Sequence, residues 1–147
     1  MIKILDHSFN PAEQLSAFEK TCGDAGAVVA FLGRVRAEND IRELSLQAYP
    51  GVTENGIADA LKDAETRWSL TSVHIIHRVG AMQVGEPIVQ VLTAAIHRRD
   101  AFEACDFLMD YLKTKAIFWK KQTGPDGDEW IEPRPEDYKD NERWSKP

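Results

Sequence analysis

The chain has 147 residues, of which 43% are hydrophobic and 29% charged, with a formal net charge of −6. That length can supply a real core in one domain, and the acidic balance argues against general nucleic-acid binding, which needs a basic surface. No apolar run approaches the ~18 residues of a membrane span, and residues 1–20 lack the basic start and apolar run of a signal peptide. Cys22 and Cys105 are far apart and outside any CxxC, so they read as free thiols of a reducing compartment, and a cytoplasmic location is expected.

Residues 1–5 form a short apolar start that reads as a strand. Asn10-Pro11 gives a helix cap followed by proline at the first helical position. Leu15 and Phe18 face inward on that helix, which ends near Thr21. The run 26–36 contains AVVAFL bounded by glycines and predicts a strand deep in a sheet. Arg34 and Arg36 lie two apart, so a continuing strand puts them on one face. Residues 43–49 alternate, with Leu44, Leu46 and Ala48 on one face, and predict a second strand pairing with the first. Thr53 is a candidate cap for a helix to about Trp68, with Ile57, Ala60, Leu61, Ala64 and Trp68 as its apolar stripe. Strands are expected over 72–79 and 87–96, with 80–85 connecting them.

The stretch 97–122 follows. Asp100 and Glu103 have capping-box spacing, and Ala101, Phe102, Cys105, Leu108, Met109 and Leu112 recur at helical spacing, widened by Phe107 and Tyr111. A largely buried helix is predicted, with His97, Arg98 and Arg99 at its start and Lys113 near its end. The partial positive charge of a helix N-terminus favours an anion there. Residues 117–122 and 129–133 flank GPDG and predict a hairpin. In FWKK the alternation puts Lys120 and Lys121 on opposite faces. From about residue 135 the chain is a polar tail whose one large apolar residue near the end is Trp144; it is either loose or docked on a partner. Short turns between paired strands favour an α+β fold with a mainly antiparallel sheet and packed helices. A single domain over 1–147 is expected.

Motifs exclude several chemistries. His74 and His77 fall on opposite faces of a strand, His7 is remote, and there is no HExxH or cysteine cluster, so no metal site is expected. There is no P-loop and no GxGxxG, and no cofactor is expected. Cys105 lies on the apolar helix face, where a thiol is usually inert.

HRRDAF at 97–102, followed by MDYLKTKAIFWKK at 109–121, resembles the signature region of the large, catalytic subunit of molybdopterin synthase. GAVVAFLGRVR at 26–36, LQAYPGV at 46–52, HRVGAMQVGE at 77–86 and DGDEWIEPR at 126–134 agree with it, in one collinear order over nearly the whole chain. The resemblance implies an α/β hammerhead-like fold and a homodimer. It also implies transfer of two sulfurs to a cyclic pyranopterin monophosphate. The sulfur donor would be a small ubiquitin-like subunit with a C-terminal Gly-Gly thiocarboxylate, so no catalytic cysteine is required.

Each site residue has a plain structural reading beside the one the resemblance implies. Lys113 is either a surface lysine stabilising a helix end or, as in the family's YLKT motif, the essential catalytic lysine; burial and neighbouring cations lower a lysine pKa and favour the second. Lys120 is a solvated strand residue or the second catalytic lysine. Arg36 pairs with Glu38 or Asp40, or matches the family's active-site arginine in G-x-V-R, a residue type suited to phosphate. His97 and Arg98 correspond to the family's H-R pair for the substrate anion. Arg134 matches a family arginine beyond the hairpin, reaching a site across the dimer. Phe31 and Met109 are core residues or the slot for the small subunit's tail. The chain departs from the family pattern at Gln47, Val52, Ile117 and Gln122, and Arg99-Asp100 replaces small polar residues, but every proposed catalytic group is retained. The rival readings are a non-catalytic module binding a phosphate ligand or carboxylate tail, and a structural dimer with an incidental charged face.

Overall fold

The computed structural model describes residues 1–37, 40–116 and 118–145. Two four-stranded sheets carry the fold, the first in the order β1 (Ile2–Leu5), β4 (Leu70–Arg78), β6 (Pro87–Ala95) and β2 (Ala27–Arg34). The second runs β5 (Gly80–Gln83), β3 (Glu43–Ala48), β7 (Phe118–Gly124) and β8 (Gly127–Trp130). Of the strand pairs formed by described residues, β1 with β4 is parallel and the others are antiparallel. The architecture is therefore α+β, as the short connections between paired strands predict.

The first sheet is covered on both faces because its strands alternate. Val73, Ile75, Val89 and Val91 pack with Ile57, Ala60 and Ala64 of α2 (Val52–Arg67) and with Cys105, Leu108, Met109 and Leu112 of α3 (Arg98–Thr114). Leu92 and Ala94 point the other way and meet Phe18 of α1 (Pro11–Glu19). The second sheet has its own small core of Val35, Leu44, Leu46 and Met82. The chain passes between the sheets after Arg78, where Gly80 adopts φ 88°, a conformation costly for other residues.

Local chemistry explains several boundaries. Asn10 caps α1 by accepting the Ala12 amide at 3.0 Å, with Pro11 in the first turn. The hairpin of β7 and β8 closes with Gly124 opposite Gly127, leaving Pro125-Asp126 as a two-residue loop.

Several expectations are corrected. The run 26–36 does not lie deep in a sheet: β2 is an edge strand, with Val28 38%, Phe31 37% and Leu32 39% exposed. The strand at 43–49 does not pair with the one before it: β2 pairs with β6, and β3 lies in the other sheet between β7 and residues 80–83, which were read as a connection and form β5. Thr53 does not cap α2, which starts after Gly51; its hydroxyl instead accepts the Tyr49 amide at 2.8 Å. Asp100 and Glu103 do not form a capping box. α3 begins at Arg98, and the Glu103 carboxylate accepts the Trp68 indole N–H at 2.9 Å, a partner that sequence spacing cannot show. Phe102 is 56% exposed and so leaves the predicted buried face.

The residues beyond 134, expected as a polar tail either loose or docked on a partner, instead form α4 (Pro135–Glu142), which packs against α3 of the same chain. Trp144 anchors the end of this segment. Its ring meets Trp68 and Phe107 edge-on, each at 5.6 Å between centroids, and its indole N–H donates to Asp110 at 2.6 Å. Arg143 donates to the same carboxylate at 2.8 Å, so the buried Asp110 is paired with a charge and a hydrogen bond. No helix among the described residues is long and apolar enough to cross a membrane.

Candidate active site

A cavity of about 360 Å³ opens where the C-terminal end of α3, the end of β2 and the inner face of the second sheet meet. The register of β7 on β3 places Lys120 opposite Leu46 and Trp119 opposite Gln47. Opposed residues of an antiparallel pair share a face. Lys120 therefore points inward with the buried Leu46, and Trp119 points outward. Lys121 also turns away, to an ion pair with Asp128 at 3.2 Å. The two lysines thus lie on opposite faces, as the sequence alternation predicts. Lys113 arrives from the last turn of α3, Arg36 from just beyond β2, and Arg134 from the segment leading into α4.

Arg36, Lys113, Lys120 and Arg134 thus line one cavity, together with Phe31 and Met109; Arg134, expected to reach a site across the dimer, lies at the cavity of its own chain because the segment into α4 folds back over it. The walls are otherwise largely apolar, including Leu44, Leu46, Ile88, Leu112 and Phe118. Apolar walls strengthen the field of the cations, because there is little water to screen them. Burial, then Lys113, holds the Lys120 ammonium down to about 8. Lys113 exposes part of its side chain at the opening, yet protein crowds its ammonium; burial lowers its pKa first, with Arg36 and Arg134 adding and Asp137 opposing. A lysine so placed can give up its proton near neutrality more readily than an ordinary one.

The structure does not bring every candidate together. His97 precedes the first turn of α3 and Arg98 begins it, both exposed. Lys113 lies 16 residues on, so the two ends are about 24 Å apart along the helix axis. Within one chain, His97 and Arg98 do not reach the cavity. Gln122 is at the cavity wall, whereas Gln47 faces outward beside Trp119 and Val52 is exposed at the start of α2. Ile117, and Glu38 as a partner for Arg36, lie outside the described residues.

Two further residues belong to the site and were not singled out from the sequence. His77 is 6% exposed and lines the cavity. Its ring stacks on Phe118 at 4.2 Å, and Nδ1 lies 2.9 Å from the Arg78 carbonyl, which fixes Nδ1 as the protonated nitrogen. Burial first, and then Lys120 and Lys113, hold its pKa down to about 4, so the ring is neutral at physiological pH. The signal was available, because His77 continues the inward alternation of Val73 and Ile75. Asp137, in the first turn of α4, is the second, and no local pattern betrays its approach to two lysines.

The arrangement suits an anionic substrate carrying a phosphate or carboxylate. Arginines supply planar donor pairs and lysines supply point charges and a transferable proton. Among the described residues, no group of three or more His, Cys, Asp or Glu side chains is placed to hold a metal. Burial pushes the Cys105 thiol up to about 12, which makes it unreactive.

Comparison with known proteins is specific. A family model described as MoaE protein matches residues 4–115. The chain is 50% identical over 147 residues to a molybdopterin synthase catalytic subunit of Caulobacter vibrioides, covering 99% of this chain and 98% of that relative. A MoaE protein structure from Burkholderia ambifaria superposes with a TM-score of 0.85 at 39% identity, covering 99% of this chain and 97% of that one. A molybdopterin synthase structure from Staphylococcus aureus gives a TM-score of 0.79 at 28% identity, covering 88% and 95%. By sequence over nearly its whole length and by fold, this chain belongs to the MoaE family, to which its molybdopterin synthase catalytic relatives give their activity's name.

Proposed function

We propose that this chain is the sulfur-transferring catalytic subunit of a molybdopterin synthase. It takes sulfur from the C-terminal Gly-Gly thiocarboxylate of a small ubiquitin-like subunit and delivers it to cyclic pyranopterin monophosphate, forming the dithiolene. The observation that carries this reading is the convergence of Arg36, Lys113, Lys120 and Arg134 on one apolar-walled cavity. Both reactants are anions, and neither needs a nucleophile from this chain's inert thiols. Positioning and charge stabilisation then supply much of the rate. Lys113 exchanges a proton, or transiently accepts the acyl group, at the reacting thiocarboxylate. Lys120 and Arg36 stabilise charge there, and Arg134 holds the phosphate. Phe31 and Met109 flank the slot for the extended tail.

The chain acts as a homodimer within a heterotetramer with two small subunits. An apolar edge strand left open is a pairing surface, and β2 exposes Val28, Phe31 and Leu32 along such an edge. Ala27, at one end of β2, pairs with Ala95 just before His97, while Arg34 at the other end borders the cavity. A two-fold axis across the middle of β2 exchanges these ends. It brings His97 and Arg98 of a second copy to the cavity of the first, where they add to anion binding. A cytoplasmic location agrees with two buried, unpaired cysteines.

The test is reconstitution. Native chain, thiocarboxylated small subunit and pyranopterin precursor are mixed, and dithiolene product is quantified. Product formation supports the enzyme. Saturable binding of both ligands without product would favour the binding-module reading instead.

A further inference from the structure

The roles assigned above use the cations of the cavity and leave its acidic residue unexplained. Asp137 is only 14% exposed at its side chain, on a helix with no fully buried residue. One carboxylate oxygen lies 3.3 Å from the Arg134 guanidinium, and the other accepts the Arg134 backbone N–H at 3.1 Å. The same carboxylate opposes the loss of charge at both Lys113 and Lys120. The other charged or titratable groups on the cavity wall are Arg34, Arg36, His77 and Glu132. Glu132 is exposed, and Asp137 is the acid that acts on both lysines.

Capping accounts for only part of this arrangement: as the third helical residue, Asp137 takes the Arg134 backbone N–H as one half of a capping box. The residue before α4 is Arg134, whose side chain has donors only and cannot accept an N–H of the first turn. Ser, Thr, Asp or Asn would serve there if capping were the purpose. An arginine at that place, held by the third helical residue at the cavity wall with 61% of its side chain exposed, fits the holding of a guanidinium. The cavity also needs a counter-charge. Cations gathered around an apolar-walled space repel one another, and without an acid the lysines shed protons or the cavity fills with a stray anion.

We propose that Asp137 is a positioning residue of the site. From the first turn of α4 it fixes the Arg134 guanidinium at the cavity wall and sets a single negative charge against Lys113 and Lys120. The C-terminal helix is thereby part of the working site, although it lies beyond the region matched by the family model. As an anionic substrate enters, it competes with Asp137 for Arg134 and takes over the charge balance.

Two variants test this in the full chain with its small subunit. Asp137→Asn keeps an acceptor for the Arg134 N–H but removes the charge. Asp137→Glu keeps both, and glutamate is a favoured residue at the third position of a capping box. Protonation of Lys113 and Lys120 is read by peptide-resolved acetylation rates between about pH 6 and about pH 10, a span that brackets perturbed and ordinary lysines. In Asp137→Asn both lysine midpoints fall below those of the native chain, and Asp137→Glu restores them. Single-turnover sulfur transfer in Asp137→Asn drops roughly tenfold, about 1.4 kcal/mol of barrier, with thermal stability within the range of Asp137→Glu. Unchanged lysine midpoints in Asp137→Asn, or a loss of turnover that follows loss of helix stability and is not rescued by Asp137→Glu, would overturn the proposal. The turnover arm rests on the function proposed above. The acetylation arm does not, so a failure of that function and a failure of Asp137 are separable.

Discussion

His77 makes the stability of this protein depend on pH in a window where carboxylates contribute little. Its folded-state pKa is held near 4 against 6.5 for an ordinary histidine. The unfolded chain therefore binds the extra proton. Stability from this group is fully present above about pH 6.5 and is lost as the pH falls towards 4. With those two values, lowering the pH from 7 to 5 removes about 2 kcal/mol, a large share of a typical domain's total. His74 titrates in the same direction, because burial and then the N-terminus and Lys3 lower its pKa, but it lies on the opposite face of β4 and is unchanged by substitution at residue 77. The clean comparison is native chain against His77→Asn, whose amide N–H can still reach the Arg78 carbonyl. Urea denaturation at both pH values gives the two unfolding free energies. The variant starts lower at pH 7, from lost packing on Phe118, but its further loss on going to pH 5 is smaller than the native loss by about 2 kcal/mol. Equal losses would show that His77 is not held neutral, and the account of the cavity's field would then be wrong.

Trp144→Ala removes two ring contacts and the hydrogen bond to Asp110, and should cost about 2–3 kcal/mol in urea denaturation, somewhat under the value for a fully buried tryptophan; a loss below about 1 kcal/mol would show that the segment beyond α4 is not anchored. Leu32→Asp places a charge on the open edge of β2 and should convert a dimer to a monomer by sedimentation at micromolar concentration; it should also weaken anion binding, because His97 and Arg98 of the second copy are lost from the site. A dimer that survives the change locates the interface elsewhere.

Much of this was legible in the sequence, and the misses have physical causes. Asn10-Pro11 specifies its helix start locally and correctly, because cap and first turn are neighbours in sequence. The apolar face of α3 and the opposite facing of Lys120 and Lys121 follow from the periods of a helix and a strand; that Lys120 is the inward one came from the motif resemblance. The run AVVAFL misled in one respect: its hydrophobicity reports that the surface is to be covered, not that this chain's own sheet covers it. Glu103 misled because capping-box spacing competes with a tryptophan far along the chain. The meeting of Arg36, Lys113 and Lys120 depends on how the second sheet folds over α3, so motif resemblance suggested it and spacing could not; the resemblance sent Arg134 across the dimer, whereas it joins them within one chain. The arrival of Asp137 depends on the docking of α4, which Trp144 and Asp110 secure from outside the cavity. His77 was visible in the alternation of β4, but its importance comes from the lysines around it.

The central claim is that Lys113 takes part in sulfur transfer, and the most direct measurement is single-turnover product formation with Lys113→Ala beside the native chain. Thiocarboxylated small subunit and pyranopterin precursor are supplied to both, with folding and small-subunit binding verified. The account predicts product from the native chain and at least a hundredfold less from the variant, about 2.7 kcal/mol of barrier. Equal product from both would contradict it and remove Lys113 from the chemistry.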